Sequence, residues 1–169
     1  MKPGFRVLAL AACLVLSLQP TFAQAKSSGD EAAIRQWLAA FTKAFEARDV
    51  NATMAFYSPE VVAYDLVPPL QYVGADAYRK DFETFYSGFK GPLHMETRDL
   101  HILVSGNLAV IETLYRVSGT QASSGQPTSM WIRNTSVLRK TNGRWLDVHD
   151  HVSVPADMDT GKALLDLKP

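Results

Sequence analysis

Residues Thr128–Val154 read TSMWIRNTSVLRKTNGRWLDVHDHVSV, and this stretch decides the fold class. Strand-like segments stand on both sides of Asn142–Gly143, the dipeptide most typical of a two-residue turn between antiparallel strands. The stretch therefore predicts a β-hairpin, and two further segments of the same kind precede it. The second half of the chain is thus expected to be a meander of four strands. We place them at Leu93–Val104, Leu108–Thr120, Thr128–Lys140 and Arg144–Val154.

The first half of the chain has the spacing of helices. Ser28 and Glu31 are placed as in a capping box, and the apolar residues that follow recur on one helical stripe. Further helices are predicted at Val50–Tyr57 and from about Ala75 to Ser87, with a short strand at Val61–Tyr64 between them. The order α-α-β-α-β-β-β-β predicts an α+β domain with helices packed on a mainly antiparallel sheet. The stripe of the first helix comprises Ile34, Trp37, Leu38, Phe41 and Phe45.

The N-terminal segment 1–25 has the parts of a secretory signal peptide. Basic residues in Met1–Arg6 precede an apolar run, Val7–Leu18, and small residues follow. The run is shorter than the roughly 20 residues that a membrane-spanning helix needs. We expect cleavage after Ala23 or Ala25 and a periplasmic or secreted location. An alternative is a lipoprotein in which Cys13 carries the lipid.

Composition excludes several classes of protein. The 169 residues include 17 Lys and Arg, 17 Asp and Glu and one cysteine, and 47% are hydrophobic. This excludes a disulfide scaffold, a low-complexity chain and a strongly basic nucleic-acid binder. Once the signal is removed, no feature favours a nucleic-acid or membrane partner. We expect one domain at 26–155, and a tail at 156–169 with a short helix around Gly161–Leu167.

Two stretches resemble a known superfamily. The first-half sequence DVNATMAFY (Asp49–Tyr57) and the final-strand sequence Gly143–Ser153 are similar to nuclear transport factor 2-like proteins, and within them to SnoaL-like proteins. The resemblance implies a cone of curved sheet wrapped by three helices, with a pocket at its wide end for a small-molecule ligand. It also implies a homodimer formed through the open face of the sheet.

The segment Val61–Gly74 resembles the part of ketosteroid isomerases that carries the general-base aspartate, and Asp65 matches that aspartate. The tyrosine of the isomerase oxyanion hole falls on Phe41, which has no hydroxyl. Those isomerases also keep a second aspartate protonated so that it can donate a hydrogen bond. That aspartate falls on Thr135, or on Asn134 if the alignment shifts by one. The base is retained and the oxyanion hole is not, so steroid isomerisation is not expected.

Alternation along the strands predicts which side chains share a face. Trp145, Asp147, His149 and His151 fall on one face of the last strand, and the resemblance implies that Arg133, His149 and His151 face the cavity. Arg133 would then hold an anionic group, and Asp65 or His151 would move a proton. The expected catalytic residues are Asp65 and His151, and the expected ligand contacts are Arg133, His149, Trp131, Thr135, Tyr64 and Phe41.

Each of these residues also has a structural interpretation. Asp65 is suited to a turn beside the Pro-rich loop, and Arg133 is suited to neutralising Asp147. The pair His149 and His151 has a spacing compatible with two metal ligands, but no third ligand is evident, so no metal and no cofactor are expected. Three functions stay open: an isomerase, lyase or cyclase acting on an apolar carbonyl or carboxylate compound, a non-catalytic binding protein, and a homo-oligomerising scaffold.

Overall fold

The computed structural model describes residues 24–169, and the expected signal cleavage and lipidation of Cys13 lie outside this range or at its edge. Within it, three helices and six strands follow one another. The helices are α1 (Gln24–Glu46), α2 (Val50–Met54) and α3 (Ala75–Ser87). The strands are β1 (Tyr57–Tyr64), β2 (Tyr72–Val73), β3 (Phe89–Ser105), β4 (Leu108–Gln121), β5 (Pro127–Thr141) and β6 (Arg144–Ser153).

The strands form one curved, unclosed sheet in the order β2-β1-β6-β5-β4-β3. All neighbouring pairs are antiparallel except β1 and β6, which run parallel. The helices pack on the sheet, α1 chiefly against β3 and α3 against β1. The expected α+β architecture and the cone-shaped fold are therefore confirmed. None of the helices in the part of the chain described here is long and apolar enough to cross a membrane.

The second helix is shorter than the sequence predicts, and the strand after it is longer. Asp49 caps α2 by accepting a hydrogen bond from the Ala52 amide at 2.9 Å. The helix ends at Met54 because the chain then enters the sheet: the Asp147 amide donates to the Phe56 carbonyl at 2.9 Å. Tyr57 therefore begins β1, where the sequence predicted the last turn of a helix.

A β-bulge in β6 determines which side chains face the helices. Val137 of β5 pairs with His149, whereas the next residue, Leu138, pairs with Asp147, so Val148 is an extra residue in β6. The bulge reverses the alternation of faces beyond it. Trp145 and Asp147 point inward before the bulge and are buried, and the inward residues after it are Asp150 and Val152.

The core has a wide part and a narrow part. The wide part lies between α1, α3 and the sheet and contains most of the aromatic rings. The narrow part is formed by Ile34 and Trp145 together with aliphatic residues of β4 and β5. The wide part is the one that encloses a cavity.

The expected helix in the tail is wrong. Asp157 accepts hydrogen bonds from the amides of Asp159 and Thr160, both at 2.9 Å, and this fixes a turn. The chain then folds back, so that the Leu164 amide donates to the Pro155 carbonyl at 2.9 Å. Gly161 has a positive φ, and Ala156 pairs with Ala163, so the tail forms a short antiparallel turn where a helix was expected.

Candidate functional site

A cavity of about 220 Å³ lies between the concave face of the sheet and helices α1 and α3. Its wall is mainly apolar and strongly aromatic, because the inward stripes of both helices are rich in aromatic residues. Rings that line it include Trp37, Phe41, Phe45, Phe82, Phe85 and Tyr115. Trp37 stacks on Phe41 with ring centroids 5.6 Å apart, and Phe41 meets Tyr57 edge-to-face at 6.1 Å. These contacts fix the shape of the wall.

Asp65 places a carboxyl group in this apolar wall, directly after the end of β1. One carboxyl oxygen accepts a hydrogen bond from the Leu66 amide, and the other accepts one from the Tyr78 hydroxyl at 3.2 Å. Burial raises the pKa of Asp65 to about 6, and the nearby Asp81 carboxyl acts in the same direction. Asp65 is therefore poised to accept a proton near neutral pH.

Asp81 is a second carboxyl in the wall, one helical turn after Tyr78 on α3. Its oxygen accepts a hydrogen bond from the Tyr72 hydroxyl at 2.9 Å, and its carboxyl lies near that of Asp65 in the same wall. Burial raises the pKa of Asp81, while the hydrogen bond from Tyr72 lowers it. The charges of the two aspartates interact, so ionisation of one disfavours ionisation of the other.

Asp150 lies deeper in the cavity wall and is surrounded by hydrogen-bond donors. One of its oxygens meets the amide of Asn134 at 2.6 Å and the hydroxyl of Ser136 at 3.2 Å. The other meets the hydroxyls of Tyr57 at 3.1 Å and Tyr78 at 3.0 Å. Burial raises the pKa of Asp150, and these donors oppose that effect by stabilising the carboxylate.

Tyr78 joins the two carboxyls across the cavity wall. Its hydroxyl lies within hydrogen-bonding distance of both Asp65 and Asp150, but it has one proton and donates to one of them at a time. Burial, reinforced by the charge of Asp150, raises the pKa of Tyr78 and of Tyr57 well above the usual value. Both hydroxyls therefore remain protonated donors at neutral pH.

Asp147, on the other side of the bulge from Asp150, is fully buried. One oxygen accepts a hydrogen bond from the His149 amide at 3.0 Å, and the other has no partner among the residues described. Burial, together with the charge of Asp150, raises the pKa of Asp147. A bare carboxylate oxygen is costly in such a place, so the protonated form of Asp147 is favoured.

The wall of the cavity contains no basic side chain among the residues described. Its ionisable groups are the carboxyls of Asp65, Asp81 and Asp150 and the tyrosine hydroxyls. In residues 24–169, no group of three or more His, Cys, Asp or Glu side chains is arranged to hold a metal ion. The polar chemistry of the cavity is therefore that of carboxyl groups, hydroxyls and one amide.

Of the residues that the sequence singled out, Asp65 and Phe41 line the cavity. The expected inward orientation of Arg133, His149 and His151 is wrong, because the bulge at Val148 turns the two histidines to the other face of the sheet. On β5, the inward residues are Met130, Ile132, Asn134 and Ser136.

The outward residues of β1, β5 and β6 form what we call the outer face: Tyr64, Trp131, Arg133, Thr135, His149 and His151. Here Tyr64 meets His149 and His151 edge-to-face, with centroids 4.9 and 5.5 Å away. The His149 ring nitrogen bonds the Val62 carbonyl at 2.9 Å. The guanidinium groups of Arg98 and Arg116 lie over the ring of Trp131, each 5.8 Å from its centroid. None of the six outer-face residues lines the cavity.

The site residues that the sequence left without a committed role are Tyr78, Asp81, Asn134, Ser136 and Asp150. A partial signal existed for Asn134, which was the alternative to Thr135 as the match to the isomerase donor. Strict alternation places Asp150 on the face of the last strand opposite His149 and His151, among apolar residues, and an acid in that pattern indicates a buried polar partner. No pattern in the sequence links it to Tyr78, which lies 72 positions away.

Comparison with known proteins identifies the family. Residues 34–157 match the model of the SnoaL-like domain. A nuclear transport factor 2-like protein of unknown function from Pseudomonas putida is 33% identical, with a TM-score of 0.76, covering 84% of this chain and 98% of that one.

Two more distant structures share the fold. A ketosteroid isomerase-like protein from Erwinia carotovora has 21% identity and a TM-score of 0.63, covering 72% of this chain and 93% of its own. A candidate scytalone dehydratase from Novosphingobium aromaticivorans has 14% identity and a TM-score of 0.67, covering 75% and 84%. The chain belongs to the SnoaL-like family of the nuclear transport factor 2-like superfamily.

Proposed function

We propose that this protein is an acid–base enzyme, an isomerase or dehydratase, that acts on a small apolar carbonyl compound, with Asp65 as the general base. The observation that carries the proposal is the Asp65 carboxyl in the aromatic wall of the cavity, where burial brings its pKa to about 6. A base with such a pKa is largely ionised at neutral pH and still basic enough to remove a proton. The family includes isomerases and dehydratases, which supports this class of reaction.

The proposed step begins with an ionised Asp65. Its oxygen removes a proton from the carbon next to the substrate carbonyl, and the C–H electron pair moves to give an enolate. In an isomerisation, Asp65 then returns the same proton to a different carbon. In a dehydration, it gives the proton to a hydroxyl group in the β position, which leaves as water while the enolate electrons form the new C=C bond.

The enolate oxygen needs a hydrogen-bond donor. The Tyr78 hydroxyl lies beside Asp65 in the cavity wall and stays protonated, so it is the donor proposed for this oxygen. One well-placed donor of this kind typically accelerates such a step by about a hundredfold or more.

The test uses 3-cyclohexen-1-one, a one-ring ketone of suitable size, and follows its conversion to the conjugated isomer by ultraviolet absorption. Cyclohexanone in D₂O, followed by NMR, reports removal of the α-proton alone. We expect the wild-type protein to accelerate at least one of these reactions and Asp65→Asn to reduce the rate by about 10²- to 10⁴-fold. Matched controls are Asp76→Asn, an exposed aspartate on α3, and Arg133→Ala on the outer face, which should leave the rate unchanged.

The two alternatives from the sequence predict other outcomes. A non-catalytic binding protein would take up these ketones without exchanging their protons, and its affinity would not depend on Asp65. A scaffold would show neither binding nor exchange, but would lose its self-association when charges replace apolar residues on the outer face. Either pattern would refute the enzymatic proposal.

We also propose that the protein is exported and is a homodimer. The basic, apolar and small-residue segments of residues 1–25 support export, and the resemblance to nuclear transport factor 2-like proteins supports self-association through the outer face. Cell fractionation with N-terminal sequencing of the mature protein tests export. Native mass spectrometry of the same material tests the oligomer.

A further inference from the structure

We propose that the cavity is built for a small organic cation, namely an ammonium group carried on an apolar frame of about one ring. The inference rests on the proposed ligand site and names the charge of its ligand. It departs from the expectation that a guanidinium group would hold a carboxylate, because Arg133 lies on the outer face. Three properties of the cavity support it: the charge of its wall, its aromatic surface and its volume.

The charge of the wall is negative and uncompensated. Three carboxyls, those of Asp65, Asp81 and Asp150, line the cavity, and no Lys, Arg or His lines it with them. The ion pairs found among the described residues all involve other carboxylates: Glu31, Glu46, Glu96 and Asp30. Hydrogen bonds from hydroxyls and an amide solvate the three aspartates, but no cationic group compensates their charge.

Such an arrangement favours a cation over an anion. Above the pKa of Asp65 the cavity holds an excess of negative charge. A buried carboxylate without a counter-ion costs free energy even when it is hydrogen-bonded. A carboxylate ligand would add to this excess. A cation would remove it and would meet Asp65 and Asp81, whose adjacent carboxyls give two acceptors for the protons of one ammonium group.

The aromatic part of the wall is suited to the same ligand. Tyr57, Tyr78 and Phe82 form a cluster of rings whose centroids lie 4.9 to 5.8 Å apart, beside the carboxyls. Trp37 and Phe41 form a stacked pair in the same wall. Ring faces attract organic cations, and aromatic cages are a common way in which proteins bind ammonium groups.

The volume limits the size of the ligand. About 220 Å³ corresponds to roughly seven molecules of liquid water, which is the space of a one-ring compound with a short substituent. Benzylamine therefore serves as the probe. Benzyl alcohol has the same shape without the charge, and benzoate has a negative charge on the same ring.

The experiment measures the dissociation constants of these three compounds by calorimetry at pH 8, where Asp65 is ionised and benzylamine is protonated. We expect benzylamine to bind at least tenfold more tightly than benzyl alcohol, and benzoate to bind most weakly. Asp65→Asn and Asp81→Asn should each reduce the preference for the amine several-fold and leave benzyl alcohol unaffected. Asp76→Asn on the same helix serves as the matched control. Equal binding of amine and alcohol, or tighter binding of benzoate, would overturn the inference.

A quaternary probe separates the charge of the protein from that of the ligand. Benzyltrimethylammonium keeps its charge at every pH, so its affinity should fall as the pH drops below about 6 and Asp65 becomes protonated. A flat profile in the wild-type protein would count against the inference. The inference and the enzymatic proposal can fail separately. If the cavity selects amines but moves no protons, only the enzymatic proposal fails. If the protein transfers protons on neutral ketones without selecting amines, only the cation inference fails.

Discussion

The two faces of the sheet differ in the charged side chains they carry. The inner face presents Asp65 and Asp150 to the cavity, together with Asn134 and Ser136, and no base among the residues described. The outer face carries arginine and histidine side chains that contact aromatic rings, as well as acids, one of which is paired with an arginine. Chemistry that needs a protein carboxylate in an apolar environment is therefore available inside, whereas the outer face offers cationic and aromatic groups open to solvent.

The difference is set by one extra residue. Without the bulge at Val148, strict alternation would place His149 and His151 on the same face as Asp147, and Asp150 on the other. With the bulge, an acid that is fully buried occupies the cavity side and the histidines occupy the outside. One backbone irregularity thus decides which chemistry the cavity has.

Deletion of Val148 should have the largest effect, because it removes the bulge. The residues after it would either change faces, which exposes Val152 and separates Asp150 from its four donors, or lose their pairing with β5. We expect a loss of more than about 4 kcal/mol in the free energy of unfolding, measured by urea denaturation, or failure to fold. Deletion of Ser123 in the exposed β4–β5 turn is the control. A Val148 deletion as stable as this control would contradict the role given to the bulge.

The next largest effect is expected for Asp150→Leu, since it leaves the side chains of Asn134 and Tyr57 without their buried acceptor. We expect a loss of about 3 to 5 kcal/mol in the free energy of unfolding. The matched change is Glu112→Leu, at an exposed position of β4 outside the cavity, which should change stability by at most about 0.5 kcal/mol. Urea denaturation of both variants measures the difference. A loss below about 1 kcal/mol on the inner face would show that Asp150 is not an essential acceptor.

The buried carboxyls of the inner face should determine how stability depends on pH. Burial raises the pKa of Asp65 to about 6 in the folded protein, whereas the unperturbed value is about 4, so the folded state binds more protons than the unfolded state between these values. The contribution of Asp65 to stability is therefore fully present at acid pH and is lost as the pH rises through about 6. For Asp65 alone the loss amounts to about 3 kcal/mol at most. The raised pKa values of Asp81, Asp147 and Asp150 act in the same direction.

Thermal unfolding at a series of pH values measures this slope. Asp65→Asn should flatten it, because an amide resembles the protonated carboxyl and does not ionise. A steeper slope in the variant, or stability that rises with pH in the wild-type protein, would contradict the assignment.

The smallest effect on stability is expected when a single tyrosine hydroxyl is removed, and the two faces again differ. Tyr78→Phe removes the donor shared by Asp65 and Asp150 and should cost about 1 to 3 kcal/mol. It should also raise the pKa of Asp65 further, because that hydrogen bond lowers it. Tyr64 is 39% exposed on the outer face, so Tyr64→Phe should stay within about 0.5 kcal/mol. Carbon-13 NMR titration of the Asp65 carboxyl, together with denaturation curves, tests both expectations.

Local sequence rules account for most of the architecture. Helical spacing predicted α1 and α3, and Asn142–Gly143 predicted the final hairpin, because these elements are set by contacts between neighbouring residues. The tail helix was predicted wrongly, since Gly161 takes a positive φ there and the chain folds back to pair with itself. The parallel pairing of β1 with β6 depends on residues about 90 positions apart, which no local pattern encodes.

The cavity was less accessible to sequence reasoning. Asp65 was found because a resemblance pointed to it, and Phe41 because it lies on an apolar helical stripe. The partners of Asp150 come from β1, α3 and β5, and they meet only after the bulge has turned that aspartate inward. A two-residue period predicts faces correctly only until the first irregularity, and here the irregularity lies inside the strand that carries the candidate site.

The positions of the three tryptophans have a practical, spectroscopic consequence. Trp37 lies in the cavity wall, Trp131 on the outer face in contact with two arginines, and Trp145 in the narrow part of the core. Replacing any two of them by phenylalanine leaves one emitter whose fluorescence reports a single region. Filling of the cavity, coverage of the outer face and melting of the narrow core thus become three separate optical signals from one chain.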